Sequence, residues 1–135
     1  MFDPFEVKDR TGNVVRVICK RHQGLCWRLL FFSAGGEELG DLLFEPEART
    51  SVRLCDFNVF PEYARNGIGT GVLKKFLELL RTKGFKSVTA LCKSSERPLA
   101  EKEGLARWYG SFGFTLARET LAEEPGYMGK LHINL

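Results

Sequence analysis

Through its first 60 residues the chain alternates short β-branched or aromatic runs with breaks rich in Gly, Asn and Pro. "FEVKD" (5–9), "VVRVICK" (14–20), "LCWRLLFFS" (25–33), "LGDLLFEP" (39–46) and "SVRLCDFNVF" (51–60) read as five strands, the last stopped by Pro61. No helical period appears before residue 62, so this half is predicted to be an antiparallel meander. The period then changes. Ile68, Val72, Leu73, Phe76, Leu77 and Leu80 recur at three- and four-residue spacing, one face of an α-helix. Lys74, Lys75, Glu78 and Arg81 take the other face, and Gly84 suits the position just past the helix end. "FKSVTALC" (85–92) is the next strand. A second helix is predicted from Ser95 as N-cap, with Pro98 in its first turn and Leu105, Trp108, Tyr109 and Phe112 on one face, ending at Gly110 and Gly113. "FTLARE" and "YMGKLHINL" close the chain as two strands, so the order from residue 50 is β-α-β-α-β-β.

At 135 residues this is expected to be one domain, residues 1–135. Eleven Phe and two Trp supply core material and argue against disorder. A net charge of +3 would help to attract an anionic ligand, but it falls short of a nucleic-acid footprint, which would need clustering as well, so a nucleic-acid partner is not expected. The most apolar run, "LCWRLLFFSA", is about half a membrane span and contains Arg28, so it is predicted to be a buried strand and no membrane partner is expected. The start "MFDPFEVKDR" does not read as a secretory signal. The expected location is cytoplasmic, with Cys19, Cys26, Cys55 and Cys92 as reduced thiols.

The chemistry concentrates in "EYARNGIGTGVL", which sets Gly67, Gly69 and Gly71 at the head of the first helix. The first N–H groups of a helix lack intrahelical acceptors and the macrodipole makes that end electropositive, so such a turn can bind an anion. Glycines let a phosphate approach the backbone, and Gly71 would let the helix pack closely on its sheet. Arg65 and Thr70 could add a charged and a hydroxyl donor. The dinucleotide fingerprint G-x-G-x-x-G does not fit the G-x-G-x-G spacing, and the Gly-Lys-Ser/Thr end of an ATP or GTP loop is absent. On the turn alone, a plain glycine-rich connection stays equally open.

Three stretches together resemble the GNAT family of acyl-CoA-dependent N-acyltransferases. "FNVFPEYARNGIGTGVL" (57–73) resembles the family's strand, its Pro and its Q/R-x-x-G-x-G/A pyrophosphate loop, here from Ala64 to Gly69. "LARWYGSFGF" (105–114) resembles the second motif, an aromatic-Tyr pair followed by Gly-Phe, and "YMGKL" (127–131) the final strand. The resemblance implies an α+β fold, a three-layer arrangement in which a mixed, largely antiparallel sheet carries the N-terminal meander and two main helices pack on its faces, with helices on both sides. It implies acetyl-CoA as cosubstrate, no metal, and an amine-bearing acceptor, small molecule or peptide, acetylated by direct attack in a ternary complex. A homodimer is left open. Carried over, the amides of Arg65, Asn66, Gly67, Ile68, Gly69 and Thr70 would hold the CoA pyrophosphate. The backbone of Phe57, Asn58 and Val59 would follow the pantetheine arm and point an N–H at the thioester carbonyl. Tyr109 would protonate the leaving thiolate as general acid.

The chain departs from the family pattern in four places. Ala64 replaces the usual Gln or Arg, with Arg65 as a substitute. "KSSERPLAEKEG" is longer than usual, and Glu103 stands where an Asn often sits. The two helices between the family's first strands, which commonly shape the acceptor pocket, are replaced by strands and turns.

A lysine-type amine has a pKa near about 10.4, so a base or a water relay must take its proton. Strict alternation puts Arg53, Cys55, Phe57 and Val59 on one face of the fifth strand and Leu54, Asp56 and Asn58 on the other. Asp56 is the nearest carboxylate and the candidate base, reaching the site only if a bulge re-aims it; water is the alternative. Cys19, His22 and Cys26 lack the spacing of structural zinc, and the two cysteines are expected to be buried hairpin thiols. Cys55, with no His near it in sequence, is expected to pack rather than to carry an acyl group. Lys74 and Lys75 are expected to be a solvated helix face. Two other readings share the scaffold: a catalytically inactive acyl-CoA-binding or regulatory domain, and a protein-interaction module docking through the meander.

Overall fold

The order of elements follows the change of period at residue 62. The computed structural model describes residues 1–93, 99–118 and 127–135. Five strands come first: β1 (Phe5–Lys8), β2 (Val14–Arg21), β3 (Trp27–Ser33), β4 (Glu38–Ala48) and β5 (Ser51–Val59). A single 3-10 turn, Pro61–Tyr63, then leads to α1 (Ile68–Thr82). β6 (Ser87–Lys93), α2 (Leu99–Gly110), β7 (Thr115–Arg118) and β8 (Tyr127–Asn134) complete the chain. The predicted N-cap and first turn of the second helix, Ser95 and Pro98, lie outside the described residues.

All eight strands form one sheet in the order β1-β2-β3-β4-β5-β6-β8-β7. Every pairing is antiparallel except β5 with β6. The meander, the mixed and mainly antiparallel sheet, and the two helices are as the sequence predicts. Both crossovers, β5–α1–β6 and β6–α2–β7, advance the same way across the sheet, and right-handed connections of that kind put both helices on one face.

Side chains divide accordingly. Val17, Leu29, Leu42, Phe44, Val52, Val88 and Leu131 are buried on the helix side, in one cluster with the six apolar residues of α1 and with Tyr109 of α2. Phe44 and Phe76 stack at 4.9 Å between centroids, and Phe2 caps both at 5.8 and 6.1 Å. The other face carries Arg16, Arg28, Asp41, Glu45, Arg53 and Thr89. Arg28 pairs with Asp41 at 2.9 Å, Arg53 with Glu45, and Thr89 donates to Glu47. No helix covers this face among the described residues. Between β2 and β3 a five-residue turn suffices, closed by His22 N–H to Cys26 carbonyl at 3.0 Å.

The C-terminal end of α1 shows why so short a link to β6 works. Phe85 N–H reaches back to the Leu80 carbonyl and Gly84 N–H to that of Arg81, with Gly84 at φ 92°. These paired bonds satisfy carbonyls that the helix leaves open and turn the chain into the sheet.

Candidate active site

The site starts from a split in the sheet. β5 and β6 pair only from Ser51↔Ser87 to Leu54↔Ala90. Beyond Leu54, β5 stays with β4 as far as Val59↔Gly40, while β6 follows β8. The divergence coincides with a register shift: Leu43 pairs with Asp56 but Phe44 with Leu54, so Cys55 is the extra residue of a bulge. From Cys55 to Val59 the edge of β5 facing β6 has no strand partner among the described residues. Apart from the Phe57 N–H, which the Asp56 carboxylate takes up, its main-chain groups are available to a ligand lying along it, in the crevice that opens beyond the carboxyl ends of parallel strands.

At the end of that crevice sits the glycine turn. Gly67 is the N-cap of α1 in the left-handed region (φ 77°, ψ 5°), and no side chain caps the helix. Arg65 is also left-handed, at φ 64°, a conformation costly for a residue with a Cβ. The two left-handed residues flank Asn66 and fold the main chain into a tight loop whose amides lead into the first turn of α1. The three glycines then differ in purpose. A Cβ on Gly67 would lie 3.1 Å from the backbone nitrogen of Arg10, and one on Gly71 would lie 3.2 Å from the Lys8 carbonyl. Both let α1 dock against the first hairpin. A Cβ on Gly69 would meet only ordinary contacts, Val59 at 3.6 Å and Trp108 at 3.7 Å, so this glycine keeps the floor of the crevice low.

The cavity so formed has a volume of about 780 Å³, within the range of small-molecule sites. One end is polar, with Arg10, Arg65, Gly67 and Thr70; the other is walled by Phe57, Val59, Leu105, Trp108 and Tyr109. Trp108 ties the two helices together. Its indole N–H donates to the Thr70 hydroxyl at 3.1 Å, and its ring packs edge-on against Phe57, Tyr109 and Phe112. Tyr109 is 8% exposed, lies against Phe114, and lines the same cavity.

The bulge changes the predicted faces. Phe57 and Val59 follow Val52 and Leu54 on the helix side, not Arg53 and Cys55, because the extra residue inverts the alternation. Asp56 and Asn58 stay on the opposite face. There Asp56 accepts from the Phe57 N–H at 3.0 Å and from the Asn58 side chain at 2.9 Å, and neither residue lines the cavity. The bulge is therefore present, but it does not bring Asp56 to the crevice. Asn66 likewise contributes backbone only, its carbonyl accepting the Arg10 N–H at 2.7 Å. Among the described lining residues there is no Asp, Glu or His.

Arg10 is a lining residue that sequence reasoning missed; Leu105 and Trp108, read only as one face of the second helix, are two more. A basic residue in a hairpin turn carries no local mark of a ligand site, and only the docking of β1 on α1 places it there. The described thiols add nothing to the chemistry, and the Cys92 side chain lies outside the described residues. Cys55 is exposed rather than packed as expected, yet local desolvation, opposed by the Arg53 hydrogen bond, lifts its thiol above its ordinary value, so it remains protonated and a poor nucleophile at neutral pH. Cys19 packs beside the core, and Cys26 faces its neighbour's carbonyl.

A sequence model described as the acetyltransferase (GNAT) family matches residues 16–114. No curated protein sequence matches the chain closely enough to count as a relative. Among solved structures, the chain resembles a GNAT family acetyltransferase from Elizabethkingia anophelis with acetyl-CoA bound. That match has a TM-score of 0.73 at 14% identity and covers 90% of this chain and 98% of the other. It also resembles the PaiA N-acetyltransferase from Thermoplasma acidophilum in complex with coenzyme A (TM-score 0.62, 16% identity, 82% and 61% covered). A third likeness is to the spermidine/spermine N-acetyltransferase from Vibrio cholerae (TM-score 0.65, 14% identity, 84% and 67% covered).

Proposed function

Because the chain belongs to the GNAT acetyltransferase family, we propose that it moves an acetyl group from acetyl-CoA to a primary amine by direct attack in a ternary complex. The observation that carries this reading is one continuous crevice. It joins a cationic, amide-rich end at Arg65–Thr70 to an unpaired strand edge at Phe57–Val59 and ends beside Tyr109. The residues fit the cofactor at both ends. Diphosphate suits the uncapped N-terminus of α1 and Arg65, and a pantetheine arm suits Phe57, Val59, Leu105 and Trp108. Structural neighbours that hold acetyl-CoA and CoA support the choice.

Each step then falls to a group of this chain. The main-chain N–H near Val59 donates to the carbonyl oxygen as negative charge grows on it, a contribution of about 3 kcal/mol when the donor is preorganised. Tyr109 gives its phenolic proton to the departing sulfur. The attacking amine loses its proton to water, since the described lining residues offer no base.

The test is release of free CoA thiol from acetyl-CoA against a panel of primary amines, with thermal unfolding at rising CoA as a second measurement. Thiol release with at least one amine, and stabilisation by RT ln(1 + [L]/Kd), are expected. Stabilisation without turnover would leave a binding or regulatory domain; no stabilisation at millimolar CoA would leave the interaction module.

A further inference from the structure

We propose that Arg10, in the turn between β1 and β2, is a diphosphate-binding residue of the cofactor site, supplying the charged contact that Ala64 lacks. The inference rests on the acetyl-CoA reading above and adds to it a residue from outside the matched family segment, which begins at residue 16.

Three observations lead there. Arg10 lines the same cavity as Arg65, Gly67 and Thr70, the residues at the head of α1. Its position is fixed by the backbone: the Arg10 N–H donates to the Asn66 carbonyl at 2.7 Å, and a Cβ on Gly67 would lie 3.1 Å from that nitrogen. The hairpin turn and the glycine turn are thus docked on each other, 56 residues apart in sequence. The turn is itself rigid. One oxygen of Asp9 accepts from the Thr11 N–H, the Thr11 hydroxyl and the Asn13 N–H, all at 2.9 Å. Asp9 is occupied by those donors, and among the described residues Arg10 forms no ion pair.

The chemistry follows. A diphosphate held by main-chain amides keeps most of its charge, and a guanidinium offers paired donors matched to phosphate oxygens. Arg65 belongs to the loop that precedes α1 and Arg10 to the hairpin docked on that loop, so two cationic residues line the cavity beside the helix end. Ala64, whose position carries a Gln or Arg in the resembled motif, needs no side-chain donor when the hairpin brings one.

Calorimetry separates the alternatives, with CoA, dephospho-CoA and pantetheine as probes for wild type, Arg10→Gln and Arg10→Lys. Loss of a charge-assisted hydrogen bond weakens binding about ten- to hundredfold. Arg10→Gln is therefore expected to lose that factor equally for CoA and dephospho-CoA, with pantetheine unaffected and the unfolding midpoint of the free protein unchanged. Arg10→Lys should recover part of the loss. Wild-type affinity in Arg10→Gln overturns the proposal. So does a loss confined to CoA, which would assign the residue to the 3′-phosphate, and so does a loss shared by pantetheine, which would mark a structural effect. Failure of the wild-type protein to bind CoA at all is a different result: it removes the acetyl-CoA reading, and this inference with it.

Discussion

Tyr109 and Gly67 show how differently single residues can matter to one site. Tyr109 is buried against Phe114 and Trp108, and Phe keeps every one of those ring contacts. Tyr109→Phe is therefore expected to lower kcat by about 10²- to 10⁴-fold, the range for a lost general acid, with the affinity for CoA unchanged. Unaltered turnover would return Tyr109 to a packing role. Gly67 acts through its backbone. Gly67→Ala forces a Cβ into the left-handed region, at about 1–2 kcal/mol, and presses it on Arg10. The expected outcome is a lower denaturation midpoint together with weaker CoA binding. A variant as stable and as tight as wild type would show that the αL cap is dispensable. Both positions were legible in the sequence, since a glycine at a helix start and a Tyr in a motif are local signals. Arg10 was not, because its role depends on which turn lies beside it.

The elements divide between holding the site and supporting it. α1 buries one face completely, and Phe76, fully buried between Phe2 and Phe44, is its centre. Phe76→Ala is expected to cost about 3–5 kcal/mol by cavity formation, read from chemical denaturation. A loss under 1 kcal/mol would mean that the core collapses around the gap. The β1–β2 turn is held instead by electrostatics. Burial pulls the Asp9 carboxyl upward, but hydrogen bonds from Asn13 and Thr11 outweigh it and hold the group below its usual value. A carboxyl lowered in the fold stabilises fully above its unfolded value, near about pH 4, and the contribution disappears as pH falls through the lowered value. Asp9→Ala should therefore reduce the unfolding midpoint at pH 7, with the gap to wild type closing as pH falls below the unfolded value. A gap independent of pH would assign the effect to something other than charge. The strands and α1 could be read from residue pattern almost to their ends. The bulge at Cys55 could not, because a bulge arises from pairing with β4 and leaves no periodic trace in β5 itself.

At the scale of the molecule, the consequence is a sheet with helices on one face and a split between β5 and β6 as its binding crevice. With no Asp, Glu or His among the described lining residues, the pH–rate profile reports on the whole arrangement rather than on one side chain. If water takes the amine proton, kcat/KM should rise with pH through 8 and towards the amine's own value, about 10 for a lysine-type acceptor. A plateau reached between pH 4 and 7 would point instead to a carboxylate such as Asp56. The open outer face follows from the same topology. The five-residue turn after β2 leaves no chain there from which covering helices could form.

The sequence by itself determined the strands, α1, the glycine turn and the Tyr109 motif, because each depends on residues within one helical turn or one strand of each other. Tertiary structure alone decided three things: that both helices share a face, that the Cys55 bulge turns Phe57 and Val59 to the face of Val52 and Leu54, and that Arg10 meets Asn66. All three turn on strand order and register, which bring together residues that the chain keeps far apart, and no local pattern encodes such a meeting.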